Sequence, residues 1–276
     1  MNPILIDFGV IQIYWYSVII LSAILIGSAI FLKRAKKEGY KEDFLTDTLF
    51  YLIIFSILGA RLYYVLFNFG YYMKHPLEIV AIWNGGLAIH GGIIAGSICL
   101  LYRARKNKKS FLRLTDLLAP SIILGQAIGR WGNFFNSEAH GIATSKQVLE
   151  NLHIPRFIIK GMNIDGVYYH PTFLYESIWC LLGFILLIYL DKKVKLRRGG
   201  LTGIYFIWYS LARFFIESIR TDSLMLGPFK IAQVVSILLF LAGLYLLFRK
   251  KDDKRIKMLK EKVKAVTTKF YDDYYK

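Results

Sequence analysis

Apolar residues run in long blocks along this chain, separated by short polar segments of two kinds. Seven blocks are candidate membrane helices: roughly Ile11–Leu32, Phe44–Phe67, Leu87–Tyr102, Leu114–Ile128, Pro171–Leu190, Leu201–Ile219 and Lys230–Phe248. A helix rises 1.5 Å per residue, so about 20 apolar residues cross the hydrocarbon of a bilayer. The third and fourth blocks are short by that measure. Each adjoins a Gly-rich polar motif, which predicts partial or tilted helices lining a cavity. The expected fold is therefore all-α, a polytopic membrane protein of about seven transmembrane helices. No internal repeat and no low-complexity linker interrupts the pattern.

One kind of polar segment is basic. Lys33, Arg34, Lys36, Lys37 and Lys41 follow the first block, and Arg103, Arg105, Lys106, Lys108, Lys109 and Arg113 separate the third and fourth. Lys192, Lys193, Lys195, Arg197 and Arg198 separate the fifth and sixth, and the chain from Arg249 is again strongly basic. Cytoplasmic loops concentrate Lys and Arg. These four regions share one side only if the N-terminus is outside and the C-terminus cytoplasmic, a parity that seven spans satisfy. The chain then divides into a seven-helix transmembrane domain, 1–248, with an outer-face polar loop, 129–170, and a basic cytoplasmic tail, 249–276. In the tail Ile256, Leu259, Val263, Val266 and Phe270 recur at helical spacing among lysines. That spacing fits an amphipathic helix on an anionic leaflet, or a solvated charged tail.

Composition agrees with this reading. The chain is 55% hydrophobic and 16% aromatic, with a mean hydropathy of +0.43. A formal charge of +17 would suggest nucleic acid in a soluble protein. Here the cations sit in short runs between apolar blocks, with no polar domain to present them to a duplex, so nucleic-acid binding is not expected. Cys99 and Cys180 both fall inside apolar runs, which argues against a disulfide framework or a zinc site. No Walker loop, HExxH, nucleophile elbow or metal-holding carboxylate cluster is present, so no metal or cofactor is expected. The N-terminus carries no basic segment before its apolar run and does not read as a cleaved signal peptide.

The other kind of polar segment is chemical. Gly129-Arg130-Trp131-Gly132-Asn133-Phe134-Phe135-Asn136-Ser137-Glu138-Ala139-His140-Gly141 follows directly on the apolar run Leu117–Ile128. Polar groups at membrane depth are expensive and mark function. Arginine suits a phosphodiester because its planar fork donates two parallel hydrogen bonds and stays charged. Tyr209, Arg213, Glu217 and Arg220 are spaced by four, four and three, so they share one helical face. Two readings stand for that face: a structural Arg213–Glu217 pair locking helices, or phosphate binding with Arg130. Arg61, in Leu58–Tyr64, divides evenly between structure and function. His90 lies among Gly85-Gly86 and Gly91-Gly92, and its ordinary pKa suits proton transfer near neutrality. Asn133, Asn136 and Glu138 suit headgroup hydroxyls or the backbone of a re-entrant loop. Glu176 is a second carboxylate near the outer end of a span, and Tyr16 is a candidate interfacial aromatic. Asp116 reads as the cap of the fourth span.

These residues carry a resemblance. Gly129–Gly141 matches Gly-Arg-x-Gly-Asn-Phe-x-Asn-x-Glu-x-x-Gly, the signature of the prolipoprotein diacylglyceryl transferase family, at every fixed position. His90-Gly91-Gly92 resembles that family's HGG motif. Gly59-Ala60-Arg61, His170-Pro171-Thr172 through Tyr175-Glu176, and Tyr209/Arg213/Glu217 are similar to its other segments. The resemblance extends to about residue 248. It implies transfer of a diacylglyceryl group from phosphatidylglycerol to the lipobox cysteine thiol of a prolipoprotein signal peptide, in the bacterial plasma (inner) membrane. A thioether forms and glycerol phosphate leaves, at a site toward the outer leaflet. Arg130 and Arg213 are then the expected phosphate clamps and His90 the candidate base. Tyr16, Arg61, Asn133, Asn136, Glu138, Gly141, Glu176, Tyr209, Glu217 and Arg220 are expected to bind substrate or position the clamps. The alternatives are a headgroup transferase, which usually wants an acidic metal motif, and a lipid transporter or flippase. Transport predicts polar residues across the full depth and repeat symmetry, whereas the unusual groups here concentrate in the outer half.

Overall fold

The computed structural model of the protein describes residues 2–9 and 12–249. The helix expected in the basic tail lies outside the described residues. The described chain is mostly helical: α1 (Trp15–Lys37), α2 (Glu42–Phe67), α3 (Phe69–Tyr72), α4 (Ile89–Lys106), α5 (Phe111–Phe135), α6 (Lys146–Asn151), α7 (Arg156–Gly161), α8 (Thr172–Lys193), α9 (Gly200–Ile219) and α10 (Ile231–Phe248). Short antiparallel pairings join β1 (Ile4–Asp7) to β2 (Gln12–Tyr14), β5 (Val167–Tyr169) to both β3 (Ala143–Thr144) and β4 (Asn163–Ile164), and β6 (Met225–Leu226) to β7 (Phe229–Lys230). The fold is thus all-α in its body, with small β elements at the connections.

Among the described residues five helices, α1, α2, α5, α8 and α10, are long and apolar enough to cross a membrane. Their outward faces carry exposed Leu25, Phe55, Leu58, Ile185 and Leu241, where a water-soluble fold would place polar groups. The chain is a multi-pass membrane protein. The remaining two expected spans, α4 and α9, form as helices of 18 and 20 residues, but charge breaks their apolar runs: Arg103, Arg105 and Lys106 end α4, and Arg213 and Glu217 interrupt the second half of α9.

The expected short fourth span is not short. α5 runs for 25 residues, from Phe111 to Phe135, and takes in the first half of the signature block. Its small residues explain why a helix persists there. A Cβ on Gly132 would stand 2.7 Å from the Tyr16 ring, so α1 and α5 can close only over glycine. The reading of Asp116 as the cap of α5 is also corrected. Ser110 caps α5, its Oγ accepting from Arg113 N at 3.4 Å. Asp116 caps α9 instead, accepting from Gly199 N at 2.7 Å and Thr202 N at 2.9 Å. Gly199, the N-cap of α9, has no side chain to do so. Pro120 has no N–H to return to Asp116 O; Arg34 Nη1 donates to Asp116 O at 3.3 Å and to Leu117 O at 2.5 Å.

Glycines set the helix pairs. Gly59 on α2 and Gly91 on α4 meet backbone to backbone, a Cβ on Gly91 falling 2.3 Å from Gly59 O. Gly203 on α9 and Gly243 on α10 do the same, at 2.8 and 2.7 Å. Contacts such as Gly27–Ser121, Arg34–Leu117 and Ile20–Gly129 make α1 antiparallel to α5. Similar contacts make α8 antiparallel to α5 and α9. The basic connections therefore gather at one end of the molecule. At that end Phe31, Ala35, Leu45, Leu100, Ala104, Leu114 and Leu117 join the α2–α4 pair to α1 and α5. Toward the other end a cavity of about 420 Å³ lies between α1 and α5, with Leu49 of α2 and Ile89 of α4 also at its wall.

Candidate active site

Three helix ends meet beside Arg130, which lines that cavity. The last turns of α5 bring Arg130 and Asn133, the second turn of α8 brings Glu176, and the last three turns of α9 bring Tyr209, Arg213 and Glu217. Arg130 Nη2 stands 2.5 Å from Glu176 Oε1, and Arg213 Nη1 stands 3.4 Å from Glu176 Oε2. Arg213 Nη2 reaches Glu217 Oε2 at 2.7 Å, and Arg220 Nε approaches the same oxygen at 3.9 Å. Arg220 also chelates Asp222 at 2.9–3.0 Å. The result is a ladder of alternating charge, Arg130–Glu176–Arg213–Glu217–Arg220–Asp222, threaded through three helices. Glu176 and Glu217 are each 2% exposed. Buried carboxylates of this kind persist because each is paired on both sides. Two guanidinium groups converging on one carboxylate concentrate positive charge that a single anion can share. The i,i+4 spacing predicted this pairing along α9; the bridge to Arg130 through Glu176 joins separate helices.

The signature block wraps the mouth. Asn133 Nδ2 donates to Glu138 Oε1 at 2.8 Å and Asn136 Nδ2 to the same oxygen at 3.4 Å, while Arg130 Nη1 donates to Asn133 Oδ1 at 3.4 Å. Tyr16 lines the cavity with Arg130 and Asn133. Two left-handed residues, Ser137 and Ala139, turn the chain back after α5. Thr172 Oγ1 donates to Ala139 O, and Gly141 N donates to His170 O at 2.9 Å. Gly141 pairs in a β-bridge with Arg220, and a Cβ there would press to 2.8 Å from His170 Cβ. Glycine at 141 is thus what lets the end of the signature lie against His170 and Thr172 at the start of α8. Tyr209 stacks on Tyr205 at 6.1 Å.

Arg61 and His90 stand apart from this assembly, on the α2–α4 pair. Arg61 is buried, and four of its five N–H donors go to backbone carbonyls: Glu78 (2.5 Å), Ile79 (2.8 Å), Gly85 (2.8 Å) and Gly86 (3.0 Å). Its guanidinium also faces Tyr72 at 5.2 Å. It ties the 76–86 segment to α2. His90 is exposed in the first turn of α4, with its ring 6.2 Å from that of Tyr63. Its neighbour Ile89 lines the same cavity as Arg130.

Three contributors escaped the sequence reading. Gln126 and Ser121 line the cavity, and their Oε1 and Oγ atoms are buried with no hydrogen-bond partner among the described residues. A lone amide inside the run Leu117–Ile128 was the available signal. Lys230 Nζ caps the end of α9, donating to Glu217 O at 2.6 Å, Ser218 O at 3.2 Å and Arg220 O at 3.3 Å. Cations favour helix C-termini, but nothing in the spacing linked residue 230 to that end.

A family model described as prolipoprotein diacylglyceryl transferase matches residues 3–249. The chain belongs to the prolipoprotein diacylglyceryl transferase family. Relatives named phosphatidylglycerol–prolipoprotein diacylglyceryl transferase are similar along almost their whole length. The one from Staphylococcus carnosus (strain TM300) is 49% identical over 251 residues, 91% of this chain and 90% of the relative. That from Bacillus licheniformis is 49% identical over 263 residues, 95% and 97% of the two chains. That from Bacillus velezensis is 50% identical over 251 residues, 90% and 92%. This membership makes the chain a transferase, and the ladder and signature block lie within the matched region.

Proposed function

We propose that this chain transfers the diacylglyceryl group of phosphatidylglycerol to the lipobox cysteine of a prolipoprotein signal peptide. The thiolate sulfur attacks the glyceryl carbon that bears the phosphate oxygen. A C–S bond forms, the C–O bond breaks, and glycerol phosphate leaves with the bonding electrons; the thiol proton passes to a base. The reaction needs positive charge where the leaving phosphate develops negative charge. The observation that carries the reading is the convergence of Arg130 and Arg213 on Glu176, with Arg130 itself lining a mainly apolar cavity whose polar groups include Ser121, Gln126 and Asn133. Glu176 holds the two guanidinium groups in register, so the phosphate meets them pre-positioned rather than gathering them from solvent. Glu217 and Arg220 brace Arg213 from behind. Asn133, Asn136 and Glu138 offer donors and acceptors to the glycerol headgroup, with Tyr16 beside them, Gly141 holding the end of the signature against His170 and Thr172, and Tyr209 on the ladder face of α9. His90 is the base that generates thiolate, the nucleophilic form of cysteine. Arg61 serves the site at one remove by fixing the 76–86 segment.

The same proposal includes seven spans, with α4 and α9 crossing as well. It places the N-terminus outside, the C-terminus in the cytoplasm and the ladder at the outer leaflet of the bacterial plasma membrane. The gathering of the basic connections at the end away from the ladder supports this orientation. Because both substrates are embedded in the bilayer, the cavity admits them sideways from lipid.

The test is a transfer assay with purified protein, phosphatidylglycerol and a lipobox peptide, read by peptide mass without added metal. A gain of one diacylglyceryl unit is expected, and none with a Cys→Ser peptide. No gain, with both substrates shown to bind, would point to transport or to a different acceptor.

A further inference from the structure

At the end of the helices opposite the ladder, a second cavity of about 600 Å³ opens between the turn after α1, the α4–α5 connection and the α8–α9 connection. Five cations line it, Lys108, Lys109, Arg113, Lys195 and Arg198, against two carboxylates, Glu38 and Asp191. Arg113 is taken by both carboxylates, pairing with Glu38 and lying 3.8 Å from Asp191. Among the described residues no carboxylate pairs with Lys108, Lys109, Lys195 or Arg198; Lys109 lies 5.4 Å over the Tyr40 ring. Mutual repulsion of four such charges around one concavity favours an anion between them.

The backbone fixes where Lys108 stands at the cavity. α1 and α4 end beside this cavity in the same hydrogen-bonded motif. After α1, Gly39 N donates to Lys36 O and Tyr40 N to Ala35 O; after α4, Lys108 N donates to Arg105 O and Lys109 N to Ala104 O. Both motifs need a left-handed residue, Gly39 at φ +80° and Lys108 at φ +54°. Glycine takes that conformation without the steric penalty a Cβ brings. A lysine stands there at a cost to folding, and its side chain lines the cavity. Exposed Val194 also lines the cavity, giving it an apolar flank at the end of membrane-length helices.

We propose that this cavity binds the phosphate-bearing headgroup of an anionic phospholipid from the leaflet at that end of the helices. Its lysines and Arg198 meet the phosphate, and Val194 meets the first acyl carbons. This site rests on the membrane placement of the chain and not on the reaction at the ladder.

The test uses the full chain in detergent, with retained lipid read by native mass spectrometry. One arm adds cardiolipin, which carries two phosphates; the others add phosphatidylcholine or inorganic phosphate. Wild type should retain cardiolipin over phosphatidylcholine. Lys108→Gly combined with Lys109→Ala should weaken that retention by roughly tenfold or more, the scale of two lost phosphate-facing charges. Arg130→Ala should leave it intact, which separates this site from the ladder. Lys108→Gly alone should melt no lower than wild type, so lost binding cannot be lost folding. Equal retention in wild type and double variant would overturn the proposal. So would phosphatidylcholine bound as tightly as cardiolipin, or inorganic phosphate bound where cardiolipin is not.

Discussion

Arg61 and Arg130 are both arginines at membrane depth, and their surroundings differ in kind. Arg61 is closed in by four carbonyls of one loop, neutral acceptors fixed by the backbone they belong to. Arg130 is held by a carboxylate that also serves Arg213, and it borders a cavity. An arginine held by backbone carbonyls acts as a fastener. One that shares a single carboxylate with a second cation keeps the electrostatic capacity to receive a phosphate. The partners, more than depth or burial, separate the two roles.

Substitutions can break or sharpen that contrast. The largest effect is expected at the ladder. Arg130→Ala or Arg213→Ala should lower the rate of diacylglyceryl transfer by about 10²–10³-fold, the loss typical of one donor to a developing oxyanion. Membrane insertion should persist, because Glu176 retains its other arginine. Normal turnover in either variant, measured at equal folded protein, would remove the clamp role. Next is Arg61→Ala, which orphans several buried carbonyls and should cost stability of about 2–4 kcal/mol. Thermal unfolding reads this, and an unchanged melting temperature would mean the loop does not depend on the arginine. Gly91→Ala tests the frame that holds both His90 and the cavity wall. The added methyl meets Gly59 O and should cost about 1–3 kcal/mol by overpacking. A variant as stable as wild type would show that α2 and α4 separate freely. The smallest effect is expected for Lys230→Met. Loss of the cation at the α9 terminus should lower stability by about 0.5–1 kcal/mol, with only a small fall in rate. A rate loss as large as that of Arg213→Ala would instead make Lys230 part of the phosphate site.

Much of this was legible in the sequence, and the failures have physical causes. The i,i+4 spacing of Tyr209, Arg213 and Glu217 holds on a helix wherever it lies, so their shared face was readable. The partnership of Arg130, Glu176 and Arg213 depends on how α5, α8 and α9 pack, which no local pattern encodes. The end of α5 was read too early because hydropathy falls at Gly129, whereas a helix continues through polar residues that neighbouring helices shelter. Asp116 illustrates the same limit. Its position after Thr115 suits a local cap, yet the amides it satisfies belong to Gly199 and Thr202, more than eighty residues on. Arg61 carried no signal that would choose between fastener and ligand, because the carbonyls that hold it come from a loop without a strong pattern.

The most direct measurement is a paired one. Arg130→Ala and Arg61→Ala would be compared for transfer of diacylglycerol from phosphatidylglycerol to a lipobox peptide, at equal folded protein and below the melting temperature of the weaker variant. Arg130→Ala should be folded but slowed by about 10²–10³-fold, while the folded fraction of Arg61→Ala retains most of its turnover. Turnover by folded Arg130→Ala at the wild-type rate would contradict the clamp role.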